Sequence, residues 1–215
     1  MRAYTSYLFD FDGTLTATLP YWHSAISQAL AQHDPPLVDK HLAIQLLGGW
    51  STASTDSLQH LGIADSNTFS NVVNDIIEDV QLHEALLHTG VMDTLQTMKA
   101  KGHYRALVTN NFQKNVQRSL DHHNLHGLFD RVVTREMVAK VKPDPEMVRL
   151  ALGSNQAGDA VMVGDSVHDI VAAHAAGVSA YLYFPEENEQ YYSYEYVKSF
   201  GADRIIRDFR ELLEG

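Results

Sequence analysis

Asp10 and Asp12 stand one residue apart in "SYLFDFDGTLT", residues 6–16. Tyr7, Leu8 and Phe9 before them read as the end of a buried strand, where two like charges repel each other and lose hydration. A cation or a reaction must offset that cost. Two further apolar runs end in small polar residues: "HYRALVTN" in Thr109 and Asn110, and "DAVMVGD" in Asp165. "KVKPDPE" adds Lys142, with Pro143 and Pro145 fixing the approach to a helix. The set is carboxylates, a hydroxyl, an amide and an ammonium, which suits metal-assisted phosphoryl chemistry. A hard cation such as Mg²⁺ takes oxygen ligands, and Asp10 and Asp165 could share it. Asp10 would then stay ionised and attack phosphorus, forming an aspartyl-phosphate. Asp12 would protonate the leaving oxygen and later activate water. Thr109 and Lys142 would hold the equatorial oxygens as charge spreads over them, with the Asn110 amide as a further phosphate contact.

Positioning these residues calls for an α/β fold. From about Asp93 onward, strand-like runs alternate with helical patterns: "HYRALVTN", "FDRVVT", "DAVMVGD" and "SAYLYF" are separated by segments such as "DPEMVRLAL" and "SVHDIVAAHAAG". With "YTSYLFD" as the first strand, this predicts a doubly wound parallel sheet of Rossmann-like type, covered on both faces. Ligands of such sheets sit beyond the carboxyl ends of the strands, where these residues fall. Residues 17–89 carry four helical patterns and no strand run. The expected division is residues 1–16 and 90–215 as the α/β core and 17–89 as an inserted all-helical cap.

Composition narrows the partners. The chain has 215 residues, a net charge of −11 and no cysteine. A disulfide framework and thiolate metal sites are therefore excluded. The acidic balance argues against a nucleic-acid polymer as partner. No apolar run reaches membrane-spanning length, and the N-terminus lacks a signal-peptide pattern. The expectation is a cytoplasmic monomer or homodimer acting on a small phosphorylated metabolite, with no membrane partner. "HEALLH" fails as a zinc-protease helix because Leu87 occupies the place a second histidine needs. His122, His123 and His126 read as a solvated helix end.

Four stretches, in order, resemble the haloacid dehalogenase superfamily of phosphohydrolases: "DFDGT" from Asp10, "VTN" ending in Thr109-Asn110, "KPDPE" from Lys142, and "VGDSVHDI" with Asp165 and Asp169. The resemblance covers almost the whole chain. It implies Asp10 as nucleophile and Asp12 as acid/base. It further implies that Asp10, the Asp12 carbonyl and Asp165 bind Mg²⁺, with Asp169 in the outer shell. The insertion is similar to the helical cap of phosphoglycolate phosphatases and β-phosphoglucomutases. Relatives often continue "DGTL" with an aspartate two residues on, whereas here Thr16, Ala17 and Thr18 follow. The motif lysine could also be argued as Lys140, although the following proline matches better at Lys142.

The insertion holds one Lys or Arg, Lys40, against eight acidic residues. A cap that grips a second anionic group would supply more cations. Tyr21, Trp22, His23 and Trp50 are its candidate specificity residues, and they suit a neutral, aromatic or cationic leaving group. Two rivals are a phosphomutase of the same fold and a non-catalytic phospho-ligand sensor. The first needs a cap that binds a sugar bisphosphate, and the second would have lost a catalytic carboxylate.

Overall fold

A computed structural model of the chain describes residues 4–33, 35–37, 40–49, 58–59, 62–79 and 85–214. It divides into two compact units, Met1–Ala17 with Leu86–Gly215, and Thr18–Ala85.

The larger unit is built on one six-stranded sheet in the order β3-β2-β1-β4-β5-β6. Its strands are β1 (Ser6–Phe9), β2 (Tyr104–Val108), β3 (Arg131–Val133), β4 (Ala160–Gly164), β5 (Ser179–Tyr183) and β6 (Arg204–Ile206). Every pairing is parallel. The order reverses between β1 and β4, so the crevice beyond their carboxyl ends is the switch point where such sheets bind ligands. The sequence predicted five of these strands. β6 is an addition: "RII" is short and flanked by charge, and its pairing with β5 turns it into an edge strand.

Alternation along the strands splits the core into two layers. Phe9, Leu107, Val161 and Val163 face one layer, filled by α4 (Val91–Ala100) and α5 (Gln113–His122) through Val91, Leu95, Val116 and Leu120. Leu8, Ala106, Val108 and Met162 face the other, filled by α6 (Glu146–Leu152) and α7 (Val167–Ala175) through Met147, Val148, Ile170 and Ala173. All these side chains are buried, those of the strands completely, which is why the strands read as continuous apolar runs. The "YYSYEYV" stretch forms part of a turn and α8 (Tyr194–Lys198), where Arg207 lies over the Phe184 and Tyr194 rings.

The helical unit holds α1 (Leu19–Gln32), α2 (Lys40–Gly49) and α3 (Ser66–Asp79). Pro20 starts α1, where its missing N–H costs nothing, and the helix ends just before the Pro35-Pro36 pair. Its core comes from apolar residues at helical spacing: Ile26 and Leu30, Leu42 and Leu46, and Phe69, Val73 and Ile77. The predicted helical segment at 51–62 lies largely outside the described residues. No helix among the described residues is long and apolar enough to cross a membrane.

Candidate active site

β1 delivers Asp10 and Asp12 into a tight turn. Leu15 and Thr16 N–H donate to the Phe11 carbonyl at 2.9 and 3.1 Å, and Gly13 N–H donates to the Thr16 carbonyl at 2.9 Å. Thr16 Oγ1 also donates to Phe11 O at 3.2 Å, so this hydroxyl ties the turn together. Gly13 has φ +81°, and a Cβ there would lie 2.4 Å from Asp165 Oδ2. Glycine is required both by the backbone and by the Asp165 carboxylate that occupies the space.

Lys142 is the centre of the arrangement. Its Nζ donates to Asp10 Oδ1 at 2.7 Å, Asp169 Oδ1 at 2.6 Å and the Val108 carbonyl at 2.8 Å. It is only 2% exposed, and Asp169 is fully buried. Lys140 points elsewhere: its exposed ammonium pairs with Asp144 at 3.7 Å. The geometry thus brings Lys142, and not Lys140, to the carboxylates. Asn110 holds the lysine in place with its amide, Oδ1 accepting from Lys142 N–H at 3.1 Å and Nδ2 donating to Lys142 O at 3.0 Å. Thr109 is buried at the end of β2, and its Oγ1 accepts from Asn111 N–H at 3.1 Å.

Asp165 and Asp169 frame the start of α7. Asp165 Oδ1 accepts from Thr14 Oγ1 at 2.9 Å. Asp169 Oδ2 accepts from Ser166 N–H at 3.1 Å and Ser166 Oγ at 2.7 Å, as an N3 acid does when it helps cap a helix. Both Asp169 oxygens are therefore already bonded, one by the helix start and one by Lys142. Gly164 makes room for this: a Cβ there would come within 2.2 Å of Asp169 Cγ. Gly164→Ala is expected to destabilise the protein by about 1–3 kcal/mol through overpacking. It should also slow turnover by displacing a partner of Lys142, and urea unfolding alongside an activity assay checks both effects.

The charge balance shows what the site is suited to hold. Ligand atoms of Asp10, Asp165 and Asp169 lie within 4.8 Å of one another, with Lys142 the cation set among them. Burial pushes Asp10 up to about 7 against the pull of the Lys142 ammonium, and the nearby Asp169 charge adds to the push. Burial, then the Asp10 and Asp169 charges, drives Asp165 well above the usual carboxylate range. For Lys142, burial opposes the charge, but Asp10 and Asp169 outweigh it and hold the ammonium above the ordinary lysine range. Three clustered carboxylates against one ammonium leave excess negative charge in low dielectric. A divalent cation with oxygen preference fits that donor set.

The structure brings Asp10, Lys142, Asp165 and Asp169 into one cluster. Asp12 sits two residues further along the same turn, where its Oδ2 accepts from Asn111 Nδ2 at 2.8 Å. Sequence reasoning did not single out Asn111 or Thr14 as site residues; Ser166 it offers as a helix N-cap, and that is the place it takes. The second amide in "VTNN" was the one local signal for Asn111. Tyr21, Trp22 and His23 stand in the first two turns of α1 in the helical unit. Trp50 lies outside the described residues.

The sequence matches the family model described as Haloacid dehalogenase-like hydrolase over residues 7–182. Among curated proteins, it is 29% identical over 213 residues to Pyrophosphatase PpaX from Halalkalibacterium halodurans, covering 96% of this chain and 94% of the relative. It is 27% identical over 221 residues to the Phosphoglycolate phosphatase of Haemophilus influenzae, covering 95% of each. Among solved structures, a hydrolase from Pseudomonas syringae superposes with a TM-score of 0.79 at 23% identity, covering 98% of this chain and 96% of that one. The chain belongs to the haloacid dehalogenase-like hydrolase family, and it is an enzyme.

Proposed function

We propose that the protein is a Mg²⁺-dependent phosphatase that hydrolyses small phosphomonoesters through an aspartyl-phosphate on Asp10. The observation that carries this reading is the Lys142 bridge between Asp10 and Asp169 beside Asp165. It aims an ammonium at a carboxylate poised to attack phosphorus, with a second acid, Asp12, on the same turn.

An Asp10 oxygen attacks phosphorus and the ester P–O bond breaks, the leaving oxygen taking a proton from Asp12. Asp12 then accepts a proton from water, whose oxygen attacks the same phosphorus. The bond to Asp10 breaks, phosphate departs and the carboxylate is restored. Asn111 orients Asp12 for both transfers. Thr109 and Lys142 hold the phosphoryl oxygens, with Asn110 clamping the lysine backbone in reach. Asp10, Asp165 and the Asp12 carbonyl would hold the cation, which supplies charge neutralisation for the phosphoryl group. Asp169, with both oxygens engaged, supports the lysine and the outer shell.

The two curated relatives above are named for pyrophosphate and phosphoglycolate, both carrying a second anionic group. The scarcity of Lys and Arg in the inserted unit favours a neutral, aromatic or cationic leaving group here, met by Tyr21, Trp22, His23 and Trp50. No observation favours the phosphomutase. Phosphate release from a panel of esters, with Mg²⁺ and with EDTA, tests both levels. Turnover should vanish in EDTA and return with Mg²⁺; release indifferent to EDTA would refute the metal-dependent mechanism. Selective preference for phosphoglycolate or a bisphosphate would refute the leaving-group assignment and leave the mechanism standing.

A further inference from the structure

Asn115 takes no part in the steps above, yet its amide meets the residue that holds Asp12. It stands in the first turn of α5, where Nδ2 donates to Asn111 Oδ1 at 3.0 Å. The same oxygen accepts from Phe112 N–H at 2.7 Å. The main chain of Asn111 is tied on both sides. Its N–H donates to Thr109 Oγ1 at 3.1 Å, and its carbonyl accepts from Arg135 N–H at 3.3 Å. The far end of its side chain, Nδ2, donates to Asp12 Oδ2 at 2.8 Å.

We propose that Asn115 is a positioning residue for the proton-transfer step, which it serves by fixing the end of the Asn111 amide that faces Asp12. An asparagine amide has a donor end and an acceptor end of nearly equal shape. Turned over, it would set Oδ1 against the Asp12 carboxylate, acceptor to acceptor, and Nδ2 against two donors. The Phe112 N–H belongs to the next peptide and moves with Asn111. Asn115 instead ties the amide to the body of α5, which Val116 and Leu120 anchor in the core. Its own N–H donates to the Phe112 carbonyl at 3.0 Å, so the tether starts from fixed backbone. The contacts thus run from helix to amide to amide to carboxylate. Asp12 gives its proton to the leaving oxygen as the P–O bond breaks, and the need for that proton rises with the basicity of the oxygen. The contribution of Asn115 therefore belongs to alkyl phosphates, whose alkoxide leaves poorly. The inference rests on the acid/base role of Asp12 proposed above.

Steady-state kinetics of the full chain on two esters test it: glycerol phosphate, whose alkoxide needs a proton to leave, and p-nitrophenyl phosphate, whose phenolate departs without one. The ratio kcat/KM covers the steps up to that departure and leaves out the later attack of water. Asn115→Leu removes the donor at similar volume. It should lower kcat/KM for glycerol phosphate about tenfold, within the ~10²-fold that a misplaced reacting group can cost, and shift that for p-nitrophenyl phosphate by less than about twofold. Asn115→Gln returns an amide donor and should recover most of the loss. In an Asp12→Ala background, Asn115→Leu should cost nothing further, because the two residues act as one unit. If Asn115→Leu does not fold, Asn115→Ala, which also lacks the donor, takes its place. Equal losses on the two esters, an unchanged glycerol phosphate rate, or the same loss with and without Asp12 would overturn the role of Asn115. An Asp12→Ala variant that keeps the wild-type rate on glycerol phosphate would instead bring down the acid role of Asp12, and this inference with it.

Discussion

Asp10→Asn should reduce kcat by at least about 10⁴-fold, the scale of loss when a covalent nucleophile is removed. Its fold should survive intact. The amide is isosteric, and its carbonyl oxygen can still accept from Lys142, which keeps Asp169 at 2.6 Å and Val108 O at 2.8 Å. One of three clustered carboxylates becomes neutral, and the repulsion that raises Asp10 and Asp165 in the metal-free protein diminishes. In EDTA the variant should therefore melt at or above the wild-type temperature, while the stabilisation brought by Mg²⁺ shrinks. Steady-state turnover and paired melts with EDTA and Mg²⁺ read both effects. Activity within about tenfold of wild type would remove Asp10 from the nucleophilic role, since loss of a nucleophile costs far more.

Lys142→Met should damage stability as well as chemistry. Methionine matches the length of the lysine stem but carries no charge and no donor. Asp10, Asp169 and the Val108 carbonyl then lose a shared partner at a position 2% exposed. Removing one partner of a buried ion pair leaves uncompensated charge and typically costs about 3–5 kcal/mol. Urea unfolding in EDTA should show a loss of that order, together with loss of turnover. Adding Asp10→Asn to the variant should return part of the stability, because contacting residues couple rather than add. Lys140→Ala makes the contrast. Its ammonium is solvent-exposed and, among the described residues, paired to Asp144, so its effect should stay within about 0.5 kcal/mol. Equal effects at the two lysines would contradict the assignment of Lys142.

Much of the site was legible because it breaks the rules of an ordinary strand end. A run such as Tyr7-Leu8-Phe9 followed by two carboxylates has no reason in packing alone, and Asp165 after "AVMVG" repeats the anomaly. Fully buried strands produced unmistakable apolar runs, so the doubly wound core could be read directly. β6 could not, since three edge residues flanked by arginine and aspartate look like a loop until β5 pairs with them. Local sequence also left Lys140 and Lys142 open; the reach of a side chain across the sheet to Asp10, 132 positions away, distinguishes them. Asn111 was illegible for the same reason. Its amide reaches Asp12, 99 positions away in sequence. An amide carries no signature of that by itself.

The strand-like pairing that closes the catalytic unit has an evolutionary consequence. Ala17 N–H donates to Leu86 O at 2.8 Å and His88 N–H to Leu15 O at 2.9 Å, so the chain leaves and re-enters at one spot. Seen from the sheet, everything between Thr18 and Ala85 is the loop of a hairpin whose stem is already closed. The entropic cost of such a loop rises only logarithmically, by about 0.6 kcal/mol for each doubling of its length. Whatever occupies it can be lengthened, trimmed or exchanged while Asp10 and Asp12 stay where β1 puts them. Under the proposed function, selectivity can thus be rewritten between Thr18 and Ala85 while the turn that carries Asp10 and Asp12 is left as it is.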